Sequence, residues 1–229
     1  MATYVLLHGA YQGGWIWQRV TPYLRAAGHT VFTPTLDGCA ERRHALRSGI
    51  DTESHAAEIA EMLFFEDLRD IVLVGTSCGG MVACRVAETA RDRIGRIVLA
   101  DALALFNGET VADHVKRPTA VTTDLRTGPS REDAANRMFA SLDGATKDWA
   151  LARYTPHPVA AMQQPVKLDR FWQQDWNASV IWCRQSVNPP LAHQKRAAET
   201  LKARWYELDT GHYPMLTEPA GLARLMMAE

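Results

Sequence analysis

The chain has 229 residues, 47% of them hydrophobic and 22% charged, with a formal net charge of −1. That length and mixture suit one globular α/β domain with a substantial core, and the near-neutral charge argues against nucleic acid or a membrane surface as a partner. No apolar run approaches the roughly 20 residues of a membrane span. Met1-Ala2-Thr3-Tyr4-Val5-Leu6-Leu7-His8 has no basic segment, so the N-terminus reads as a strand rather than a signal peptide. Cys39, Cys78, Cys84 and Cys183 form no C-x-x-C pair and have no histidine-rich neighbour, as expected of buried free thiols in a reducing cytoplasm.

In chain order, Thr3–Leu7 is a buried strand and His8–Gly14 a turn. Trp15–Ala27 has helical spacing, with Trp15, Val20, Tyr23 and Leu24 on its apolar side, Pro22 as a kink and Gly28 as its end. Thr30–Leu36 is a second strand. A long loop from Asp37 to Gly49 carries Glu41, Arg42, Arg43, His44 and Arg47. Asp51–Phe65 is an amphipathic helix through Ala56, Ile59, Ala60 and Leu63, with Asp51 or Thr52 as its cap. A third strand begins at Ile71, a helix runs from Gly79 to Ala90, and a fourth strand, Ile94–Ala100, ends at Asp101. Regularity is lost from Leu103 to Asn177, where prolines punctuate short helical pieces. Met138, Phe139, Trp149, Tyr154, Met162, Phe171, Trp172 and Trp176 lie there. Order returns with strand Ser179–Cys183, helix Leu191–Lys202, strand Arg204–Leu208 and a last helix from Pro219.

Strands alternating with helices predict a mostly parallel sheet of about six strands flanked by helices. Residues 1–102 and 178–229 form its core in this arrangement, and 103–177 form a small helical cap over the carboxyl ends of the strands, where such sheets hold ligands. Most of the large cap side chains pack the cap on the body; two or three face the pocket.

The third strand leads into Gly75-Thr76-Ser77-Cys78-Gly79-Gly80 with a helix behind it. Gly-x-Ser-x-Gly between strand and helix is the context of a nucleophile elbow. A serine at the apex of so tight a turn needs small neighbours two residues away. The helix N-terminus beneath it favours developing negative charge.

A serine nucleophile needs a base, a group to orient the base, and donors for the oxyanion. His212, in Asp209-Thr210-Gly211-His212-Tyr213, lies between the last strand and the last helix, where a loop returns an imidazole to the sheet top. His8-Gly9-Ala10 ends the first strand, and the backbone N–H groups of Ala10 and Cys78 are the candidate oxyanion hole. Gly9 lets a substrate approach the backbone closely.

Leu-Leu-His-Gly-Ala-x-x-Gly-Gly-Trp, Gly-x-Ser-Cys-Gly-Gly and Thr-Gly-His together resemble the α/β-hydrolase superfamily, in its branch of plant methylesterases and hydroxynitrile lyases with their bacterial esterase relatives. The similarity runs over nearly the whole chain and is weakest in the cap. Glu41-Arg42-x-His44 is similar to the bacterial members. The resemblance implies a cofactor-free, metal-free serine hydrolase, often a homodimer, acting on a small ester. It also implies an aspartate after the strand Ser179–Cys183, where this chain has Ser186. Asp101 is the preferred acid, at a second location known in the superfamily. Asp209 and a bare Ser–His dyad are alternatives. Lyases of the branch carry threonine where Gly9 stands and lysine after the histidine, where this chain has Tyr213. Hydrolysis of a small, partly apolar carboxylic ester, carbamate or lactone is therefore preferred to carbon–carbon lyase chemistry or to ligand binding without catalysis. Thr76 replaces the histidine of Gly-His-Ser and, with Gly9 and Tyr213, is expected to touch substrate.

Overall fold

A computed structural model of the chain describes residues 1–115 and 120–228. Six parallel strands form the central sheet: β1 (Thr3–Leu7), β2 (Thr30–Phe32), β3 (Ile71–Ser77), β4 (Ile94–Ala102), and two further strands, Ala178–Cys183 and Arg204–Leu208. Their order is β2-β1-β3-β4, then Ala178–Cys183, then Arg204–Leu208. β1 and β3 are neighbours although β2 lies between them in sequence. The chain therefore reverses its direction of travel across the sheet there, and open α/β sheets have their ligand crevice at such a switch point. The residues following these two strands are His8-Gly9-Ala10 and Cys78, with Ser77 closing β3.

Successive side chains of each strand enter opposite faces. Val5, Leu7, Leu73, Ile97, Leu99 and Val180 join one core, with Ile59 and Leu63 of the helix Thr52–Phe65 and Met81 and Val86 of the helix Gly79–Thr89. Tyr4, Leu6, Val72, Val74, Val98 and Ile181 join the other, with Leu24 and, from the last helix, Leu222 and Met226. Both faces are covered, so the inner strands read as near-continuous apolar runs. The helices are α1 (Thr21–Ala26), α2 (Thr52–Phe65) and α3 (Gly79–Thr89), followed by short helices in the insertion. Beyond the insertion stand Leu191–Thr200, Pro214–Thr217 and Pro219–Met227. Asp51 is the cap of α2: its carboxylate accepts from Ser54 N–H at 2.8 Å while the Ser54 hydroxyl accepts from Asp51 N–H at 2.9 Å.

The helix expected over Trp15–Ala27 is two pieces, a 3₁₀ turn Gly14–Trp17 and then α1, because Pro22 stands in the first turn of α1 and starts a helix rather than extending one. Between β4 and Ala178 the chain forms helices α4 (Val111–His114), α5 (Arg131–Asp133), α6 (Gly144–Arg153) and α7 (Val159–Gln163). A three-stranded antiparallel sheet, β5 (Ala120–Thr122), β6 (Arg126–Pro129) and β7 (His157–Pro158), accompanies them. The remaining strands are β8 (Ala178–Cys183) and β9 (Arg204–Leu208), and the remaining helices α8 (Leu191–Thr200), α9 (Pro214–Thr217) and α10 (Pro219–Met227). All four cysteines are buried, and none is joined in a disulfide. Among the described residues no helix is long and apolar enough to cross a membrane.

Glycines fit the junctions for two different reasons. A Cβ on Gly79 would stand 2.5 Å from the His8 carbonyl oxygen and 2.7 Å from that of Leu7, so α3 passes β1 with no room for a methyl group. Gly28 instead has φ +84° and open space around it. Gly79→Ala is expected to cost more than about 4 kcal/mol or to prevent folding, since backbone must move. Gly28→Ala should cost only ~1–2 kcal/mol, the usual left-handed penalty. Urea unfolding of the two variants measures the contrast, and equal costs would refute the close-approach explanation.

Candidate active site

Ser77 ends β3 with φ +50°, a left-handed conformation that costs a non-glycine residue ~1–2 kcal/mol. Its neighbours accommodate the turn by being small. A Cβ on Gly9 would meet Ser77 Cβ at 2.6 Å, and one on Gly75 would meet the Gly79 carbonyl oxygen at 2.6 Å. Helix α3 begins directly behind the serine, with Cys78 as its N-terminal flanking residue.

Asp101 owes its orientation to an irregularity in β4. Thr76 pairs with Ala100, but Ser77 pairs with Ala102, so Asp101 is an extra residue in the ladder. It adopts φ +46°. A bulge of this kind re-aims a side chain, and here the carboxylate is fully buried and reaches His212. Asp101 Oδ2 accepts from His212 Nδ1 at 2.6 Å. That contact assigns the proton on Nδ1 and leaves Nε2 free of it when the ring is neutral.

His212 sits in the loop after β9, and the loop is braced on both sides. Gln185 N–H donates to the Thr210 carbonyl at 3.0 Å, and the Thr210 and Thr217 hydroxyls pair at 2.7 Å. The Tyr213 ring packs 5.0 Å from Phe139 and 5.3 Å from His212. Burial pushes the Tyr213 hydroxyl's pKa up, against a hydrogen bond from Gln12.

The turn after β1 is held by two side chains. His8 Nε2 accepts from Leu36 N–H at 3.0 Å, so its proton is on Nδ1, which donates to the Gly9 carbonyl at 2.8 Å. Gly9 N–H donates to Gln12 Oε1 at 3.1 Å. In a trans peptide the carbonyl and the following N–H point opposite ways. Tying the Gly9 carbonyl to His8 therefore turns the Ala10 N–H to the other side of the peptide plane.

Ser77, His212, Ala10 and Tyr213 line one cavity of about 360 Å³. Leu103, Val115 and Met138 add apolar wall, and Arg137, Ser141, Gln185, Ser186 and Asn188 add polar wall. Gly9, Thr76 and the Cys78 side chain are not on this wall. Gly9 is packed against Ser77, and the Cys78 side chain faces a smaller buried space with His8 and His55. Thr76 is 1% exposed, and its hydroxyl has no hydrogen-bond partner among the described residues; adjacent positions on a strand face opposite ways, and Ser77 takes the outward one. Asp209 turns away from His212; its side chain is 65% exposed and accepts from Gln185 Nε2 at 3.3 Å.

Of the eight large apolar and aromatic side chains singled out in the insertion, Met138 is the one that lines the cavity. The others are engaged in packing. Phe139 lies on Tyr213, Trp149 on Trp15 and under Arg153, and Phe171 against Trp172 and Trp176. The Tyr154 hydroxyl donates to the Pro129 carbonyl at 2.6 Å. His8 and Gln12 carry no sequence pattern that marks them as supports of the turn; the nearest signal is that polar side chains in so apolar a stretch need partners. Among the described residues no group of three or more His, Cys, Asp or Glu is arranged to hold a metal ion.

A family model described as the alpha/beta hydrolase family matches residues 4–225. Salicylic acid-binding protein 2 of Nicotiana tabacum is 40% identical over 98% of this chain and 95% of its own length. The carbendazim hydrolyzing esterase of a Nocardioides strain is 30% identical over 73% of this chain and 74% of its own. Among solved structures, an extracellular alpha/beta-hydrolase from a Paenibacillus species superposes with a TM-score of 0.84 at 23% identity, covering 99% of this chain and 98% of that one.

Burial lowers the pKa of His8 from 6.5 to about 4, and burial likewise lowers that of His193 to about 4. Between these values the unfolded chain binds protons that the folded chain refuses, so stability rises with pH from about 4 to 6.5 and falls as the solution is acidified through that window. Each group contributes a slope of up to ~1.4 kcal/mol per pH unit. His8→Gln should reduce the slope by about one proton's worth, read as urea unfolding free energy against pH. An unchanged slope would show that His8 titrates normally in the fold.

Proposed function

This chain belongs to the alpha/beta hydrolase family and to its ester-cleaving members, and we propose that it hydrolyses small, partly apolar carboxylic esters by a Ser77–His212–Asp101 acyl-enzyme mechanism. The observation that carries the proposal is the 2.6 Å hydrogen bond from His212 Nδ1 to Asp101, with Ser77 and His212 lining the same cavity.

In the proposed reaction, the Ser77 oxygen attacks the ester carbonyl carbon while His212 Nε2 takes the hydroxyl proton. Asp101 holds the ring in the tautomer that leaves Nε2 basic, and stabilises the imidazolium that forms. The negative oxygen of the tetrahedral intermediate lies against the Ala10 and Cys78 N–H groups, where the first-turn dipole of α3 adds to the attraction. His212 then gives its proton to the departing alkoxide, leaving the acyl group on Ser77. Water attacks the acyl carbon while His212 takes its proton; the bond from that carbon to the Ser77 oxygen then breaks, and His212 returns the proton to the serine as the acid leaves.

A cavity of about 360 Å³ with Leu103, Val115 and Met138 on its wall suits a small, partly apolar group. Carbamates and lactones present the same electrophilic carbonyl. Tyr213 follows His212 where the related lyases carry lysine, and its hydroxyl is engaged by Gln12 and kept neutral by burial, which disfavours the release of cyanide as an anion.

Ser77→Ala is expected to abolish turnover of p-nitrophenyl esters and labelling by an organophosphonate, with the circular dichroism spectrum unchanged. A folded Ser77→Ala protein within about tenfold of the parent would refute the nucleophile assignment. Asp101→Asn should lower kcat by roughly ten-thousand-fold, the loss known for a serine protease with that change. Faster cleavage of mandelonitrile than of any ester or carbamate would favour lyase chemistry instead.

A further inference from the structure

Asp101 has two carboxylate oxygens, and His212 engages only Oδ2. Oδ1 accepts from Gln194 Nε2 at 3.1 Å, and Cys183 N–H stands at the longer distance of 3.5 Å. Gln194 is 1% exposed and lies on α8 with His193, Ala197 and Ala198 on that helix's buried face. An apolar residue is expected at such a position, so a buried carboxamide there needs a partner. Its partner is the buried carboxylate.

We propose that Gln194 is a positioning residue for hydrolysis: its carboxamide clamps Asp101 Oδ1 so that Oδ2 stays aligned with His212 Nδ1. The inference rests on the Ser77–His212–Asp101 assignment. The bulge leaves Asp101 outside the strand ladder, and the terminal torsion of an aspartate is a broad, two-fold rotor. A bond to a ring on a loop and the long 3.5 Å contact with Cys183 N–H do not hold that torsion. The Gln194 donor, from a different element, does. A carboxamide also supplies direction without charge. A guanidinium in its place would share the carboxylate's charge and weaken its hold on the imidazolium. The titratable groups facing the clamp are Asp101, His212 and the Cys183 thiol, whose pKa is raised by burial and by Asp101.

The test compares Gln194→Leu and Gln194→Glu with the parent and Asp101→Asn, as full-length proteins, by kcat and KM on a p-nitrophenyl ester from about pH 6 to about pH 9. Circular dichroism confirms folding. Gln194→Leu should lower kcat by about tenfold or more at every pH, with KM within about twofold. Gln194→Glu is nearly isosteric. At about pH 6 the introduced carboxyl is protonated, because burial and the neighbouring Asp101 charge raise its pKa, and it donates to Oδ1 as the amide did. Its kcat should then lie within about threefold of the parent and fall by about tenfold relative to the parent as that proton is lost toward pH 9. A Gln194→Leu kcat within about twofold of the parent, or a Gln194→Glu ratio constant across pH, would overturn the clamp. If Asp101→Asn is near-normal, the assignment of the acid itself has failed. If Asp101→Asn is inactive while Gln194→Leu is near-normal, only the clamp has failed.

Discussion

A carboxylate removed wholly from water is costly unless both of its oxygens are hydrogen-bonded. Asp101 is such a group, and much of the molecule's carboxyl-end geometry follows from satisfying it. The bulge in β4 aims it, the last backbone N–H of β8 approaches it, α8 brings Gln194 to it, and the loop after β9 brings His212. Three segments of the second half of the chain thus converge on one side chain of the first half. Gln185, Ser186 and Asn188 of the loop after β8 form cavity wall.

Two left-handed residues face each other across the β3–β4 pairing, Ser77 at φ +50° and Asp101 at φ +46°. Each is an uncommon conformation for its residue type, and such residues persist where the surroundings over-determine them. Here the surroundings are regular parallel ladder from Val72 and Arg96 to Thr76 and Ala100, then a direct bond from Leu103 N–H to the Ser77 carbonyl at 2.8 Å. Gly9 closes against the serine from the β1 side. The turn carrying Ala10 is held in the same fashion, its Gly9 carbonyl by His8 and its Gly9 N–H by Gln12. Gln12 also reaches Tyr213, so the turn after β1 and the loop after β9 share one support.

The main sheet was legible because its strands are apolar runs separated by amphipathic helices, and a six-stranded parallel sheet is what that alternation predicts. The insertion was less so. β5, β6 and β7 are 3, 4 and 2 residues long, too short for period-two alternation to register, and β6 and β7 each contain a proline. Its aromatic side chains gave no hint of which way they face, since aromatic packing and a pocket wall need the same residues.

The sequence by itself determined the elbow at Ser77, the histidine at 212 placed after the last strand, and the order of strands and helices that puts both at one end of a sheet. These are local facts, carried by spacing, by glycine where backbones must pass closely, and by hydrophobic period. Which acidic group meets His212 was decided only by the tertiary structure. Asp209 is three residues from the histidine in sequence yet points to solvent, whereas Asp101 is 111 residues away and bonds to its ring at 2.6 Å. A bulge, a buried helix face and a loop fix that choice, and none of them leaves a periodic mark in the chain. Gln194 was hidden for the same reason: its meaning lies in what stands opposite it, 93 residues away.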